Sequence, residues 1–238
     1  MENGTFVQIE YLGKIKESGE IFDLTYENIA KEKKIYNPNV NYGPITIILG
    51  NKQILASLDS KIKEMNVGEK KTIVLETKEA FGERSAEFVK IIPLSNFTRQ
   101  NMHPQVGQFI TLANNLQGRV LSVSSGRVKI DFNHPLAGKE LEYEVVLNKI
   151  VEKPEEKVSA VFLYYSNTEA KSVSIDPLKG TAKIELPSAF ELAQNGKKKI
   201  SDEIILHVSG IKEVSFVENF EKSVTKSSNE LEEITPSK

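Results

Sequence analysis

Apolar and polar positions change their spacing several times along the chain, and each change marks an element. Over residues 5–15 they alternate: Val7, Ile9 and Tyr11 face one way and Gln8 and Glu10 the other, as on a half-buried strand. Ser18-Gly19 makes a turn, after which Ile21-Phe22-Asp23 resumes an extended run. Residues 28–44 are polar and rich in turn formers, with Asn37-Pro38-Asn39 and Gly43-Pro44, and read as a surface loop whose Lys-Glu-Lys-Lys run is a solvated face. Ile45, Ile47, Ile48 and Leu49 form a β-branched run closed by Gly50, a strand ending in a turn. From Gln53 the period becomes helical. Ile54, Leu55, Leu58, Ile62 and Met65 share one face, while Lys61, Lys63 and Glu64 lie opposite, so a helix is predicted over 53–65. Asn66 and Gly68 tolerate the left-handed conformation that ends helices. A strand over 72–75 follows, and then Ala80-Phe81-Gly82.

Residues 84–131 carry their own strand signals at 88–92, 108–112, 119–123 and 127–132, separated by turns at Asn114-Asn115, Gly118 and Ser125-Gly126. This reads as a small, mostly β domain planted in a surface loop. Asn133-His134-Pro135-Leu136-Ala137-Gly138-Lys139 then leads into an alternating strand with Leu141, Tyr143 and Val145. Lys153-Pro154-Glu155-Glu156-Lys157 reads as a charged linker. Beyond it, residues 160–165, 172–175 and 181–186 read as strands. Pro187 and Ser188 begin a short helix that Gly196 closes. A second helix carries Ile200, Ile204, Ile205 and Val208, and Val214, Phe216 and Val217 make a final strand. Residues 222–238 are polar and read as a flexible tail.

The order strand, Gly, helix, Val-Gly-Glu, strand, Ala-aromatic-Gly resembles the FKBP family of peptidyl-prolyl isomerases. Gly13-Lys14-Ile15-Lys16-Glu17-Ser18-Gly19-Glu20-Ile21-Phe22-Asp23 strengthens the likeness. The 133–139 junction is similar to the SlyD-type FKBPs, in which an insert-in-flap domain occupies this place and acts as a chaperone. The extra C-terminal region is similar to that of long archaeal FKBPs, where such a domain mediates dimerisation. The fold class implied is α+β: an FKBP half-barrel of antiparallel sheet with one helix, interrupted by a small mostly β insert, plus a small α/β C-terminal domain. The boundaries expected are 1–83 and 132–153 for the isomerase domain, 84–131 for the insert, 154–221 for the C-terminal domain and 222–238 for the tail.

Composition narrows the classes. The chain has 238 residues, enough for more than one core, with 39% apolar and 27% charged residues. Its net charge of −2 makes no global case for nucleic acid or an anionic membrane. The part after Pro154 holds 11 Lys against 14 Asp and Glu, a net of −3, leaving +1 for the rest. There is no run of the ~18 apolar residues a membrane span needs and no signal-peptide pattern, so the cytoplasm is the expected compartment. With no cysteine, disulfide and thiol chemistry are excluded. His103, His134 and His207 are scattered, so no metal and no cofactor is expected.

The reaction the family implies is rotation about the peptide bond before proline. Its barrier is ~18–20 kcal/mol, because resonance gives the C–N bond double-bond character. No bond is made or broken, so the site has to favour a twisted amide over a planar one. Resonance separates charge and an apolar pocket disfavours it, so greasy and aromatic walls suit the task. The resemblance assigns catalytic roles to Tyr11, Asp23, Leu55, Phe81 and Tyr143, and substrate binding to Phe22, Ile54, Leu58 and Leu136. Ile54 and Leu55 would open the helix, with the Leu55 N–H holding the substrate carbonyl and Leu58 as the floor. Asp23 would stand near the rotating carbonyl, hydrogen-bonded by Tyr11. Two positions depart from the family pattern. Phe81 lacks the hydroxyl of the usual tyrosine, and Leu58 replaces the tryptophan common in short members. The expected partners are unfolded or partly folded chains containing proline, and a second copy of the chain through the C-terminal domain.

Two other readings stay open. One is a chaperone with little isomerase activity, in which Phe97, Met102, Phe109, Leu112 and Leu116 of the insert form an exposed apolar groove; the alternative is that they fill the insert's own core. The other treats Arg119 and Arg127 with Lys129 as an RNA-binding barrel motif, on thin support from three basic residues.

Overall fold

The computed structural model describes residues 1–112, 115–188 and 190–219. The Asn114 side of the expected insert turn and the 222–238 tail lie outside them. The chain divides into two compact units, Met1–Glu152 and Lys153–Lys238.

In the first unit the elements run β1 (Phe6–Ile15), β2 (Ile21–Leu24), α1 (Glu27–Glu32), β3 (Ile45–Ile48), α2 (Ala56–Lys63), β4 (Lys70–Leu75), β5 (Val89–Pro93), α3 (Leu94–Thr98), β6 (Phe109–Thr111), β7 (Gln117–Ser124), β8 (Arg127–Asp131) and β9 (Leu141–Ile150). The second unit holds α4 (Pro154–Ser166), β10 (Ser172–Asp176), β11 (Thr181–Glu185), α5 (Gln194–His207) and β12 (Glu213–Val217).

The main sheet has the order β2-β1-β9-β4, with β3 also paired to β1, and every pairing is antiparallel. The alternation read in β1 buries Val7 and Ile9 against Ile47, Leu49, Leu75, Leu141, Val145 and Leu147. Leu58, Ile62 and Met65 of the α2 region close this core from one side of the sheet. The loop expected at 28–44 contains the short helix α1, which buries Ala30. Helix α2 is shorter than the apolar stripe suggests. Leu55 is its N-cap, with an extended ψ of 132°, and Ile54 precedes it. Two side chains fix that entry: Gln53 Oε1 accepts the Ile48 N–H at 2.6 Å, and buried Asp59 accepts the Gly50 N–H at 3.0 Å while pairing with Lys63 at 2.5 Å.

Residues of the insert form a separate antiparallel sheet of order β5-β8-β7-β6. Val120, Val128, Ile130 and Phe132 alternate onto one face and bury Phe97 from α3. The sheet enters and leaves through a tied neck. Gly138 N–H donates to Gly82 O at 2.8 Å, Arg84 Nε and Nη2 reach Asp131 Oδ2 at 2.8 and 2.7 Å, and Asn133 Nδ2 donates to Ser85 O at 2.9 Å. The 119–131 stretch weighed as a nucleic-acid motif is the β7–β8 hairpin of this sheet.

In the second unit β10 and β11 are antiparallel and β11 and β12 parallel. Three expectations fail here. Residues 160–165 lie in α4 rather than in a strand, and the Pro154 linker is its first turn, with Pro154 itself at the helix start and Glu155 and Glu156 complementing the positive end. The helix expected from Pro187 to Gly196 is absent from the described residues of that stretch before Gln194, and Gly196 opens α5 instead of closing a helix. A Cβ at Gly196 would come within 3.0 Å of Leu192 Cδ1, so the glycine makes room for that leucine.

Candidate functional site

Strand β1 presents Tyr11 and Gly13 on one pleat, because side chains alternate along a strand. Gly13 is registered against Asp23 of β2 on one flank and Tyr143 of β9 on the other. The ring of Phe22 meets Tyr143 edge-on, with centroids 5.6 Å apart, and Tyr11 lies 6.1 Å from Tyr143 at a tilt of 58°. Gly13 carries that contact. A Cβ built on it would sit 2.8 Å from Phe22 Cζ and 3.0 Å from Tyr143 Cε1. Sequence reasoning missed this residue; the signal was a bare glycine inside a regular alternating strand, which marks a close approach.

The turn after β3 and the start of α2 bring Ile54, Leu55 and Leu58 to the same cluster, while the segment after β4 brings Phe81 and the junction before β9 brings Leu136. Tyr11, Phe22, Ile54, Leu55, Leu58, Phe81, Leu136 and Tyr143 thus belong to one apolar assembly, with Leu58 and Tyr143 buried and the others half-buried at its rim. Asp23 is exposed and joins through Tyr11, whose hydroxyl donates to Asp23 Oδ2 at 2.7 Å. The Tyr11 backbone is tied to Thr25: Tyr11 N–H donates to Thr25 Oγ1 and Thr25 N–H donates to Tyr11 O, both at 2.9 Å. The start of α2 has no side-chain cap, and first-turn N–H groups of a helix have no partner within it. A carbonyl arriving beside Leu55 therefore meets donors and the positive end of the helix.

Burial, and then the Asp23 carboxylate, push the Tyr11 hydroxyl far above the ordinary tyrosine range. Burial, with Asp23 adding to it, pushes Tyr143 up to about 12. Both groups stay neutral in the folded chain where an exposed tyrosine ionises. The sign follows from that. Below pH 10 the contribution is fully present; above it the unfolded chain ionises first, and stability falls until Tyr143 also ionises near 12. Urea unfolding between pH 8 and 11.5 should show a loss of roughly 2 kcal/mol through Tyr143, with Tyr11 adding to it. Tyr143→Phe should remove the Tyr143 share of the slope and leave that of Tyr11. An unchanged slope in that variant would mean the ring is not shielded as described.

The insert residues considered for a groove separate. Phe97 is 2% exposed and fills the insert core, so its place in an exposed groove is corrected: α3 lays it on the inner face of the sheet. Met102 and Leu112 are half-buried against the same core. Phe109 and Leu116 are exposed, at 52% and 41%, and Phe88, Ile91 and Val106 join them at the insert surface. Among the described residues no group of His, Cys, Asp and Glu comes together to hold a metal ion. The second unit holds an open hollow of about 300 Å³ beside Phe190 and Leu192, but its Lys197 and Glu218 are paired to each other at 2.5 Å, and Phe190 is its single aromatic lining residue against the four rings of the first-unit cluster. No described helix is long and apolar enough to cross a membrane.

Comparison with known proteins gives three family matches and several relatives. Residues 1–98 match the family described as FKBP-type peptidyl-prolyl cis-trans isomerase, residues 90–136 match the IF domain of FKBP26, and residues 154–221 match the FKBP26 C-terminal region. A Methanocaldococcus jannaschii protein named short-type peptidyl-prolyl cis-trans isomerase is 32% identical over 150 residues, covering 63% of this chain and 94% of that protein. The Helicobacter pylori FKBP-type isomerase SlyD is 27% identical over 154 residues, or 64% of this chain and 76% of its own length. A probable 16 kDa FKBP-type isomerase of Pseudomonas fluorescens is 36% identical over 106 residues, covering 43% of this chain and 69% of that protein.

Proposed function

This chain belongs to the FKBP-type peptidyl-prolyl cis-trans isomerases, and from that premise we propose that the apolar assembly at the start of α2 is its prolyl site. The supporting observation is the convergence of eight apolar side chains from separate segments on one cluster, with a single carboxylate, Asp23, at the rim. The proline ring packs among Tyr11, Phe22, Leu58 and Tyr143. The carbonyl before the proline points to the Leu55 N–H. As the amide twists it loses its charge separation, so dry walls raise the planar state relative to the twisted one. Asp23, held by the Tyr11 hydroxyl, orients the rotating carbonyl's dipole. Phe81 has no hydroxyl to add, which costs about the worth of one hydrogen bond, ~0.5–1.5 kcal/mol.

The insert adds capture of unfolded chain to this reading. Its support is the outward face of the insert sheet, where exposed Ile91 and Phe109 lie among Lys129 and Arg119, their registered cross-strand partners. Apolar and cationic groups side by side suit an unfolded polypeptide, which offers both greasy and acidic segments.

A proline-limited refolding assay tests the site, because uncatalysed isomerisation takes ~10–100 s at 25 °C. Asp23→Ala should lower kcat/KM about tenfold through loss of a charge-assisted hydrogen bond. Thermal stability should stay within about 0.5 kcal/mol, since the residue is exposed. Undiminished turnover in that variant would remove Asp23 from the site.

A further inference from the structure

His134 has no part in the site as assigned, yet its side chain touches two of that site's walls. Its ring lies flat on Phe81, with centroids 4.0 Å apart and planes 5° from parallel. Its Nδ1 accepts the Leu136 N–H at 3.2 Å. Phe81 and Leu136 belong to segments far apart in sequence, one before the insert and one after it, and both pack against the prolyl cluster. Phe81 has no hydroxyl by which a hydrogen bond could orient its ring, so its orientation has to come from packing.

We propose that His134 is a positioning residue for prolyl isomerisation, holding the Phe81 ring by face-to-face contact and the Leu136 backbone by its Nδ1. The assignment rests on the prolyl site proposed above. Each function taken singly could be met by another residue. An asparagine side chain accepts an N–H two residues ahead, as in an Asx turn. A phenylalanine offers a flat face. Imidazole does both, provided its proton sits on Nε2 and leaves Nδ1 as an acceptor. The charged groups on the flanking segments are Glu79, Glu83 and Arg84 beside Phe81, and Lys139 and Glu140 beyond Leu136. Glu79 pairs with Lys61, Glu83 accepts from Thr77, Arg84 pairs with Asp131 and Glu140 with Lys16, so these four charges have partners other than His134.

Steady-state turnover of a proline tetrapeptide, measured on the full chain, tests this. At pH 7.5 H134A should lose about tenfold in kcat/KM, while H134N and H134F, each keeping one contact, should lose about threefold. The loss should fall on kcat more than on KM, since misplaced walls affect the twisted state most. Unfolding midpoints in urea should coincide, because His134 is exposed. Turnover of H134A within twofold of the wild-type chain overturns the inference, as does a loss that falls on KM alone. A wild-type chain without turnover overturns the site assignment as well.

Discussion

Gly13→Val should lower prolyl isomerase turnover by about a hundredfold or more while leaving the chain folded. The reason is steric. The glycine is buried, and the Cβ position already lies 2.8 Å from Phe22 Cζ, closer than real Cβ contacts come, and a tight 3.1 Å from Phe22 Cε2. Valine adds two further methyl groups there. The backbone will not yield, because Gly13 sits between two paired strands, so the Phe22 and Tyr143 rings must turn away. Overpacking of this kind costs about 1–3 kcal/mol. Part of that is offset, since glycine in a strand is itself unfavourable by roughly 0.5–1 kcal/mol. The chain therefore stays folded, and circular dichroism with urea titration should show it. Gly13→Ala, with one methyl, should show the same effect at smaller size. Full turnover in the valine variant would mean that the edge-on pair of Phe22 and Tyr143 has no part in binding proline.

Removing residues 84–131 and closing the gap with a short Gly-Ser turn should separate two substrates. The neck makes this feasible: the Gly82–Gly138 bond already holds the body's two chain ends together. Turnover of a tetrapeptide should stay within about threefold, since the deleted stretch contributes no residue to the prolyl cluster. Refolding of a proline-limited protein should slow about a hundredfold or more at low enzyme concentration. A second contact on one client raises effective concentration and typically gains ~10²–10⁴ in avidity. Protection of an unfolded client from aggregation should vanish with it. Equal loss on both substrates would show instead that the insert only props up the pocket. Unchanged refolding of the protein client would remove the insert from capture altogether.

The parts of the fold that could be read from sequence are those where one period holds over a whole element. The alternation of Val7 and Ile9, the helical spacing of Leu58 and Ile62, and the alternation of Leu141, Tyr143 and Val145 each match a buried face. The misreadings have physical causes. Val161 to Tyr165 is a nearly unbroken apolar run, and such a run looks the same in a strand and in a buried helix. Its helical signals lay at the ends, in Pro154 at the start and in Asn167, which adopts φ 53° after the last turn. Phe97 was ambiguous for another reason: no strand alternation governs a five-residue helix, so its side could be learned only from the sheet it covers. Motif order brought the site residues together on paper, but their mutual contacts could not be read. Neither the Gly13 gap nor the stack of His134 on Phe81 follows from spacing, since each joins side chains that only the closed sheet makes neighbours.

The long pairing of β1 with β9 sets the order in which a nascent chain can mature. Ile15 meets Leu141 and Val7 meets Ile150, so the central seam cannot zip until nearly the whole first unit has left the ribosome. The β7–β8 hairpin and the β5–β8 pairing join residues much nearer in sequence, and local pairings close sooner than distant ones. The sheet held in the neck can thus pair its strands while the sheet around it is still open and unfinished.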